Sequence, residues 1–376
     1  MKAFYGKTKL GILGGGQLGR MLMQEAVNLN ISAHILDPDE NAPCKYLCEK
    51  FVHGSLSDYK TVYEFGKNVD IITIEIEKVN VEALKQLEKE GKDVYPQAHI
   101  IEIIQDKGLQ KEFYKNNNIP TADFKLINDL KTDAFEFPFI QKLRKDGYDG
   151  KGVIKISSEA DLLKAFTAPS LIERMIPFEK EIAVIVHRNV SGEIKTFPAV
   201  EMEFHPTANL VEFQISPARI SQEQHKQAES IALHIAQKLE IVGTLAVEMF
   251  LTKDGNLLVN EIAPRPHNSG HQSIEGNSIS QFAQHLRCIF NMPLSDTSTI
   301  MPAVMINLLG DEGFEGNAIY EGLEEALKIE GVYVHLYGKK ITKAFRKMGH
   351  ITIVNKDMNK AIEIAKKIKN LIKIKA

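Results

Sequence analysis

A chain of 376 residues with 44% apolar side chains has the length for roughly two or three domains and the material for a sizeable core. A formal net charge of -3 gives no bulk electrostatic reason to expect a nucleic-acid partner. The polar start before Leu10 lacks the apolar core of a signal peptide, and no run of about 18 apolar residues is present to span a membrane, so a cytoplasmic setting without a membrane partner is expected. The three cysteines, Cys44, Cys48 and Cys288, suit a reducing compartment. Cys44 and Cys48 lack the second pair that a zinc site needs and read as structural.

In chain order, Leu10 to Leu13 reads as a strand, and Leu18, Met21, Leu22, Ala26 and Leu29 recur at helical spacing. Ile31 to Leu36 and Asp70 to Ile76 read as further strands, and Val81 to Lys89 as a helix stopped at Gly91. This alternation predicts an α/β unit with a mostly parallel sheet. After Tyr95-Pro96 the pattern becomes α+β. Helices are expected over Ala98 to Gln105, Lys107 to Asn118 and Gln222 to Leu239. Strands are expected at Phe139 to Leu143, Gly152 to Ile156, Ser170 to Glu173, Glu181 to His187, Leu245 to Leu251 and Leu257 to Glu261. The tail from about Ser295 carries short strands and a last helix, with Met358, Ala361, Ile362, Ala365, Ile368 and Leu371 on one face and its lysines in solvent.

Gly14-Gly15-Gly16-Gln17-Leu18-Gly19 fits G-x-G-x-x-G between a strand and a helix, where free N–H groups attract an anion. Asp37 ends the next strand, where a dinucleotide enzyme would hold its ribose. NAD, another phosphorylated ligand and a structural turn all remain open, and Gln17 and Arg20 favour a small phosphate ester. A second glycine cluster, Asp146 to Gly152, lies between two strands and lacks the ending of a P-loop. It reads either as a lid over phosphates, with Lys142 on the preceding strand reaching the same group, or as an ordinary hairpin.

Glu248 and Glu261 fall on strands joined by the turn Lys253 to Asn256, and antiparallel pairing would bring both carboxylates, with Asn260, to one face. Hard oxygen ligands of this kind suit Mg²⁺ bridging phosphates. Arg265 offers a fork of donors for a phosphate or oxyanion. His267 and His271 lack the spacing of a zinc site, and His271 reads equally well as structural.

These stretches resemble the 5-(carboxyamino)imidazole ribonucleotide synthetase family of ATP-grasp enzymes. The likeness runs through GGGQLGRM (14–21), GYDGKG (147–152), PFEKEIAVIV (177–186), NEIAPRPHNSGH (260–271) and RKMGH (346–350), essentially the whole chain. It implies a Rossmann-like pre-ATP-grasp domain (1–96), an ATP-grasp domain (97–295) and a small C-terminal domain (296–376). For ATP it implies Lys107 and Lys142, the loop Gly147, Tyr148, Asp149, Gly150, Lys151 and Gly152, the adenine hinge Glu173, Arg174, Met175 and Ile176, and Glu181 for the ribose. His205 and Asn260 complete that site, with Glu248 and Glu261 as magnesium ligands. For aminoimidazole ribonucleotide it implies Gln17, Leu18, Glu75, Tyr148, Asp149, Lys151, Arg265, His267, Lys339 and Arg346.

The reaction implied is attack of bicarbonate on ATP to give carboxyphosphate and ADP, followed by carboxylation of the ribonucleotide amine in purine synthesis. Tyr148, Asp149, Arg265, His267, Lys339 and Arg346 would surround the chemistry. A homodimer, and a mutase that receives the product, are further implications. The rivals are another ATP-grasp enzyme (formate-dependent glycinamide ribonucleotide transformylase or biotin carboxylase), an NAD-dependent oxidoreductase, and a non-enzymatic nucleotide-binding regulator.

Overall fold

The computed structural model describes residues 7–128, 135–145, 147, 152–204 and 210–376. The first unit contains β1 (Lys9–Leu13), α1 (Gln17–Asn28), β2 (Ser32–Asp37), β3 (Lys50–His53), α2 (Tyr59–Lys67), β4 (Ile71–Ile74), α3 (Val81–Lys89) and β5 (Asp93–Val94). Its sheet is parallel throughout, in the order β3-β2-β1-β4-β5. Parallel strands buried on both faces read as continuous apolar runs, which is why β1, β2 and β4 were legible. The strand β3 and helix α2 were not expected. Lys50–His53 forms a sheet edge with no fully buried residue, so it carries little apolar signal. The side chains of Asp58 and Asn80 cap α2 and α3 by accepting from Thr61 and Ala83 N–H.

Two helices, α4 (Ala98–Gln105) and α5 (Lys107–Asn116), lead to a small antiparallel sheet. It consists of β6 (Phe124–Ile127), β7 (Phe139–Leu143), β8 (Val153–Ile156) and β9 (Ser170–Arg174), in the order β6-β9-β7-β8. Phe139, Ile156 and Ile172 give this sheet its own core. Asp106 caps α5 and takes a two-pronged ion pair from Arg144, with Nε and Nη2 each at 2.8 Å, which ties the helix to the end of β7.

The largest sheet begins with β10 (Phe178–Arg188), β11 (Ile194–Thr196), β12 (Val200–Phe204), β13 (Val211–Ser216), β14 (Gly243–Thr252) and β15 (Leu257–Ala263), with α6 (Gln222–Leu239) across one face. Ser221 and Gln224 form a capping box at the start of α6. Ala228, Ala232, Ile235, Ala236 and Leu239 of the helix pack on Ile182, Val184, Val247, Met249 and Val259 of the sheet. The chain continues through α7 (Ser273–Gly276), α8 (Gln281–Ile289), β16 (Ala303–Leu309), β17 (Gly316–Asn317), β18 (Ile319–Glu321), α9 (Leu323–Leu327), β19 (Val332–Leu336), β20 (Ile341–Thr342), β21 (Lys347–Val354), α10 (Met358–Leu371) and β22 (Lys373–Lys375). Because β13 pairs with β16, the sheet runs unbroken into the last third, in the order β15-β14-β10-β12-β13-β16-β21-β19.

The apolar face of α10 buries Ala361, Ala365 and Ile368 against β16 and β21, as its spacing predicted. A short strand, β22, follows that helix, where a helical end was expected, and pairs with β18. Cys44 and Cys48 lie in turns and not on a helix, and all three thiols are free. Among the described residues no helix is long and apolar enough to cross a membrane.

Candidate active site

The floor of the site is one face of the large sheet. Along β10 and β14 the odd and even positions divide cleanly: Ile182, Val184, Val247, Met249 and Leu251 turn to α6, which leaves Glu181 and Glu248 on the opposite face. The strand β15 reaches the same face by a β-bulge. Leu257, Leu258 and Val259 pair regularly with Leu251, Phe250 and Met249, but Glu261, not Asn260, lies opposite Glu248. The extra residue turns Asn260 and Glu261 both toward the site, while Val259 and Ile262 stay in the core.

Three carboxylates on one buried face repel one another. Lys107, at the start of α5, places Nζ 2.8 Å from Glu261 Oε2 and holds that carboxyl well below the usual range. At Glu248 the balance goes the other way: burial and the neighbouring Glu261 push it up against the weaker pull of Lys107 and Lys347. Burial and Glu261 also raise Glu181, to about 7. The folded form of Glu181 therefore keeps a proton that the unfolded chain releases from about pH 4.5, so this group withdraws stability as pH climbs from there to about 7. Glu181→Gln should therefore melt higher, relative to the parent, at pH 8 than at pH 5, by an amount worth about 1–3 kcal/mol. Thermal melts at the two pH values decide it, and parallel profiles would refute it.

The pair Glu248 and Glu261 suits a divalent cation. Its donors are hard oxygens, and burial among carboxylates raises Glu248, which a cation at this face would offset. Among the described residues no cluster of three or more His, Cys, Asp or Glu gathers, so an ion here would complete its shell with phosphate oxygens and water.

Above this floor stands the small sheet. Ile140 of β7 pairs with Glu173 of β9, so Lys142, two residues on, shares a face with Glu173. Lys142 Nζ lies 2.6 Å from Glu173 Oε2 and donates to Asn260 Oδ1 at 3.0 Å. Glu173, expected at the adenine hinge, thus turns its carboxylate inward to lysines. Arg174, Met175 and Ile176 bridge β9 to β10, with Arg174 N–H donating to Asp123 O at 2.9 Å. Gly147 and Gly152 lie beside β7 and β8, and Leu143 N–H donates to Gly152 O at 2.8 Å. The expected residues Tyr148, Asp149, Gly150, Lys151 and His205 lie outside the described residues.

A second recess surrounds the first glycine loop. Gly14 has φ +106°, and a Cβ on Gly14 or Gly16 would come within 2.6 or 2.5 Å of a Glu75 carboxylate oxygen. Glu75 Oε1 accepts from Leu18 N–H at 3.1 Å, and burial pushes its carboxyl up against the pull of Arg265. Lys339, from the last third of the chain, donates to Gln17 Oε1 at 2.9 Å and to Lys347 O at 2.8 Å. Asp37 is committed locally: Oδ2 accepts from Gly15 N–H at 2.6 Å and Oδ1 from Asp39 N–H at 2.7 Å. That carboxylate fastens the loop, which removes the ribose ligand on which the NAD reading depended.

The segment after β15 joins the two recesses. Arg265 Nε pairs with Glu77 Oε1 at 2.8 Å, and its charge acts on Glu75 and His267. His267 is neutral, held at about 3 by burial, Arg265 and Lys347. Its Nδ1 accepts from Ser269 N–H, which leaves the ring proton on Nε2, 3.7 Å from Glu248 Oε1. His271 is fully buried against Phe282 and His350. Arg346 stays within its own hairpin, donating to Ile341 O at 2.7 Å. The adjacent Lys347, passed over in the sequence, is the residue of RKMGH whose charge reaches Glu248 and His267. Lys111 was passed over too, although it lies one helical turn after Lys107 on α5.

Known proteins carry this architecture. Residues 112–282 match the ATP-grasp domain, 7–105 the ribonucleotide synthetase preATP-grasp domain, and 303–364 the phosphoribosylaminoimidazole carboxylase C-terminal domain. A sheet-borne carboxylate pair facing a small lysine-bearing sheet, on a chain with these matches, defines an ATP-grasp ligase.

The N5-carboxyaminoimidazole ribonucleotide synthase of Bacillus subtilis is 36% identical over 370 residues, covering 96% of this chain and 94% of that protein. The synthetase structure from Thermotoga maritima is 44% identical with a TM-score of 0.92, covering 98% of this chain and 99% of that one. An Aspergillus clavatus synthase solved with ADP and 5-aminoimidazole ribonucleotide is 32% identical with a TM-score of 0.88, covering 97% and 98%. The chain belongs to the N5-carboxyaminoimidazole ribonucleotide synthase family. It spans 64% of the length of the Vigna aconitifolia phosphoribosylaminoimidazole carboxylase, at 40% identity over 364 residues.

Proposed function

We propose that the protein carboxylates the exocyclic amine of 5-aminoimidazole ribonucleotide, using ATP and bicarbonate and releasing ADP and phosphate. The observation that carries this reading is the pairing of Glu248 with Glu261 beneath Lys107 and Lys142, joined through Arg265 to a separate glycine loop closed by Lys339. Phosphoryl transfer asks for charge neutralisation and positioning more than for covalent help. Lys107 and Lys142 supply positive charge at the phosphates. Arg174 to Ile176 offer backbone to the adenine, and Glu181 and Asn260 line the nucleotide site.

Mg²⁺, held by Glu248 and Glu261, would polarise the phosphate oxygens and offset their charge. Arg265 is within reach of both recesses and suits bicarbonate or the carboxyphosphate formed from it. The neutral His267 offers an Nε2 proton donor beside it. Gln17, Leu18, Glu75 and Lys339 line the ribonucleotide pocket, with the glycine loop and Lys339 facing its phosphate, and Tyr148, Asp149, Lys151 and Arg346 belong to the same assignment by sequence. Carboxyphosphate hydrolyses in water, so exclusion of water from the recess is part of the function. A cytoplasmic homodimer that passes its product to a mutase completes the reading.

The test is ADP formation in four mixtures: ATP alone, with bicarbonate, with 5-aminoimidazole ribonucleotide, and with both. Release of ADP should rise sharply only in the last, with carboxylated ribonucleotide formed in step. Equal hydrolysis in all four would refute the assignment.

A further inference from the structure

Lys111 is a buried cation to which the reading above gives no task. Its Nζ lies 2.5 Å from Glu173 Oε1, while Lys142 Nζ lies 2.6 Å from Glu173 Oε2, so one carboxylate bridges two ammonium groups. The three side chains expose only 5%, 6% and 13% of their surface. Lys111 also donates to the hydroxyl of Thr121, which donates to Val259 O at 2.7 Å. Lys142 closes the circuit at Asn260, the next residue of β15. Burial alone would raise the Glu173 carboxyl, but Lys142 and Lys111 outweigh it and hold it at about 2.

Breaking a buried ion pair is costly because one charge is left uncompensated. A Glu173 paired with Lys142 alone would therefore resist giving that lysine up. With Lys111 present, Glu173 keeps a partner when Lys142 leaves. Lys111 is anchored at Thr121 and cannot follow Lys142 without losing that anchor. We propose that Lys111 is a positioning residue for the nucleotide: it keeps Glu173 compensated so that Lys142 can exchange from Glu173 to the phosphates of ATP. This rests on the assignment of Lys142 to those phosphates.

The test measures affinity for ATP with Mg²⁺, and for AMP, by calorimetry on the full chain, with melting temperature recorded for each variant. Lys111→Gln keeps the hydrogen-bonding reach and removes the charge. It should weaken ATP by about tenfold or more, or ~1.4 kcal/mol, and leave AMP, which lacks the outer phosphates, within about threefold. Glu173→Gln should bind ATP at least as tightly as the parent, because Lys142 is released. The double variant should recover most of the affinity that Lys111→Gln loses, a strong departure from additivity.

A lower melting temperature with unchanged ATP affinity in Lys111→Gln would make Lys111 merely structural and overturn the proposal. If that variant does not fold, Glu173→Gln alone decides: ATP binding weakened about tenfold or more would overturn it. Lys142→Met separates the levels. Unchanged ATP affinity there would remove the underlying assignment and the inference with it, whereas weakened binding in Lys142→Met with additive behaviour at Lys111 and Glu173 would remove the inference alone.

Discussion

Glu261→Gln should lower ribonucleotide-dependent ADP formation at least about a hundredfold while leaving the fold intact. The side chain keeps its size and its place opposite Glu248, but one of two formal charges leaves the cation site. Two effects on stability oppose each other. Lys107 loses its partner at 2.8 Å, while Glu248 and Glu181 are relieved of the charge that raises both. Glu248→Gln should cost comparable activity, and its effect on stability has one dominant direction. That carboxylate is held up by burial and by Glu261, so replacing it with an amide should raise the ligand-free melting temperature at pH 8. On the proposed assignment of both glutamates to one cation, the double variant should fall little below either single one. Steady-state ADP release and thermal melts on the three variants check this. Multiplying losses would show that the two do not share a cation.

Lys339→Met should raise the KM for 5-aminoimidazole ribonucleotide by about 10- to 100-fold and leave ATP affinity near the parent value. The basis is position: Lys339 Nζ sits at Gln17, at the mouth of the glycine loop and remote from Lys107 and Lys142 in the chain. Losing one charge-assisted hydrogen bond to a phosphate removes about 1.5–3 kcal/mol, which is that range of affinity. Gln17 and Lys347 O lose a common donor, so a small fall in melting temperature should accompany the change. Kinetics over a range of ribonucleotide concentrations, with calorimetric ATP binding alongside, separate the two sites. A matching loss of ATP affinity would place Lys339 in the nucleotide site and dissolve the two-recess reading.

Much of this protein was legible before folding was considered. A parallel strand buried on both faces announces itself as an apolar run, and α6 and α10 announce themselves by period, because these signals are local. The glycine loop and the run Asn260 to His271 are contiguous, so the residue types that chemistry needs stand side by side in the sequence. The edge strand β3 was not legible. Lys50–His53 buries nothing fully, and a strand with one weak face leaves no pattern to read.

Three decisions belonged to the tertiary structure. The sequence placed Glu248 and Glu261 on neighbouring strands, but the register that pairs Leu251 with Leu257 and Met249 with Val259 would, if continued, set Asn260 opposite Glu248 and turn Glu261 into the core against α6. One bulge reverses that, and a bulge is a backbone irregularity with no residue signature here. Asp37 was open as a ribose ligand until the approach of Gly15 N–H showed it to be occupied. Lys111 looked like any helix lysine, and only the arrival of Glu173 from a strand 62 residues away makes it half of a buried ion pair. The physical reason is common to all three. Composition and period report what each residue does with its near neighbours, whereas burial of charge depends on partners that only the folded chain brings within hydrogen-bonding distance.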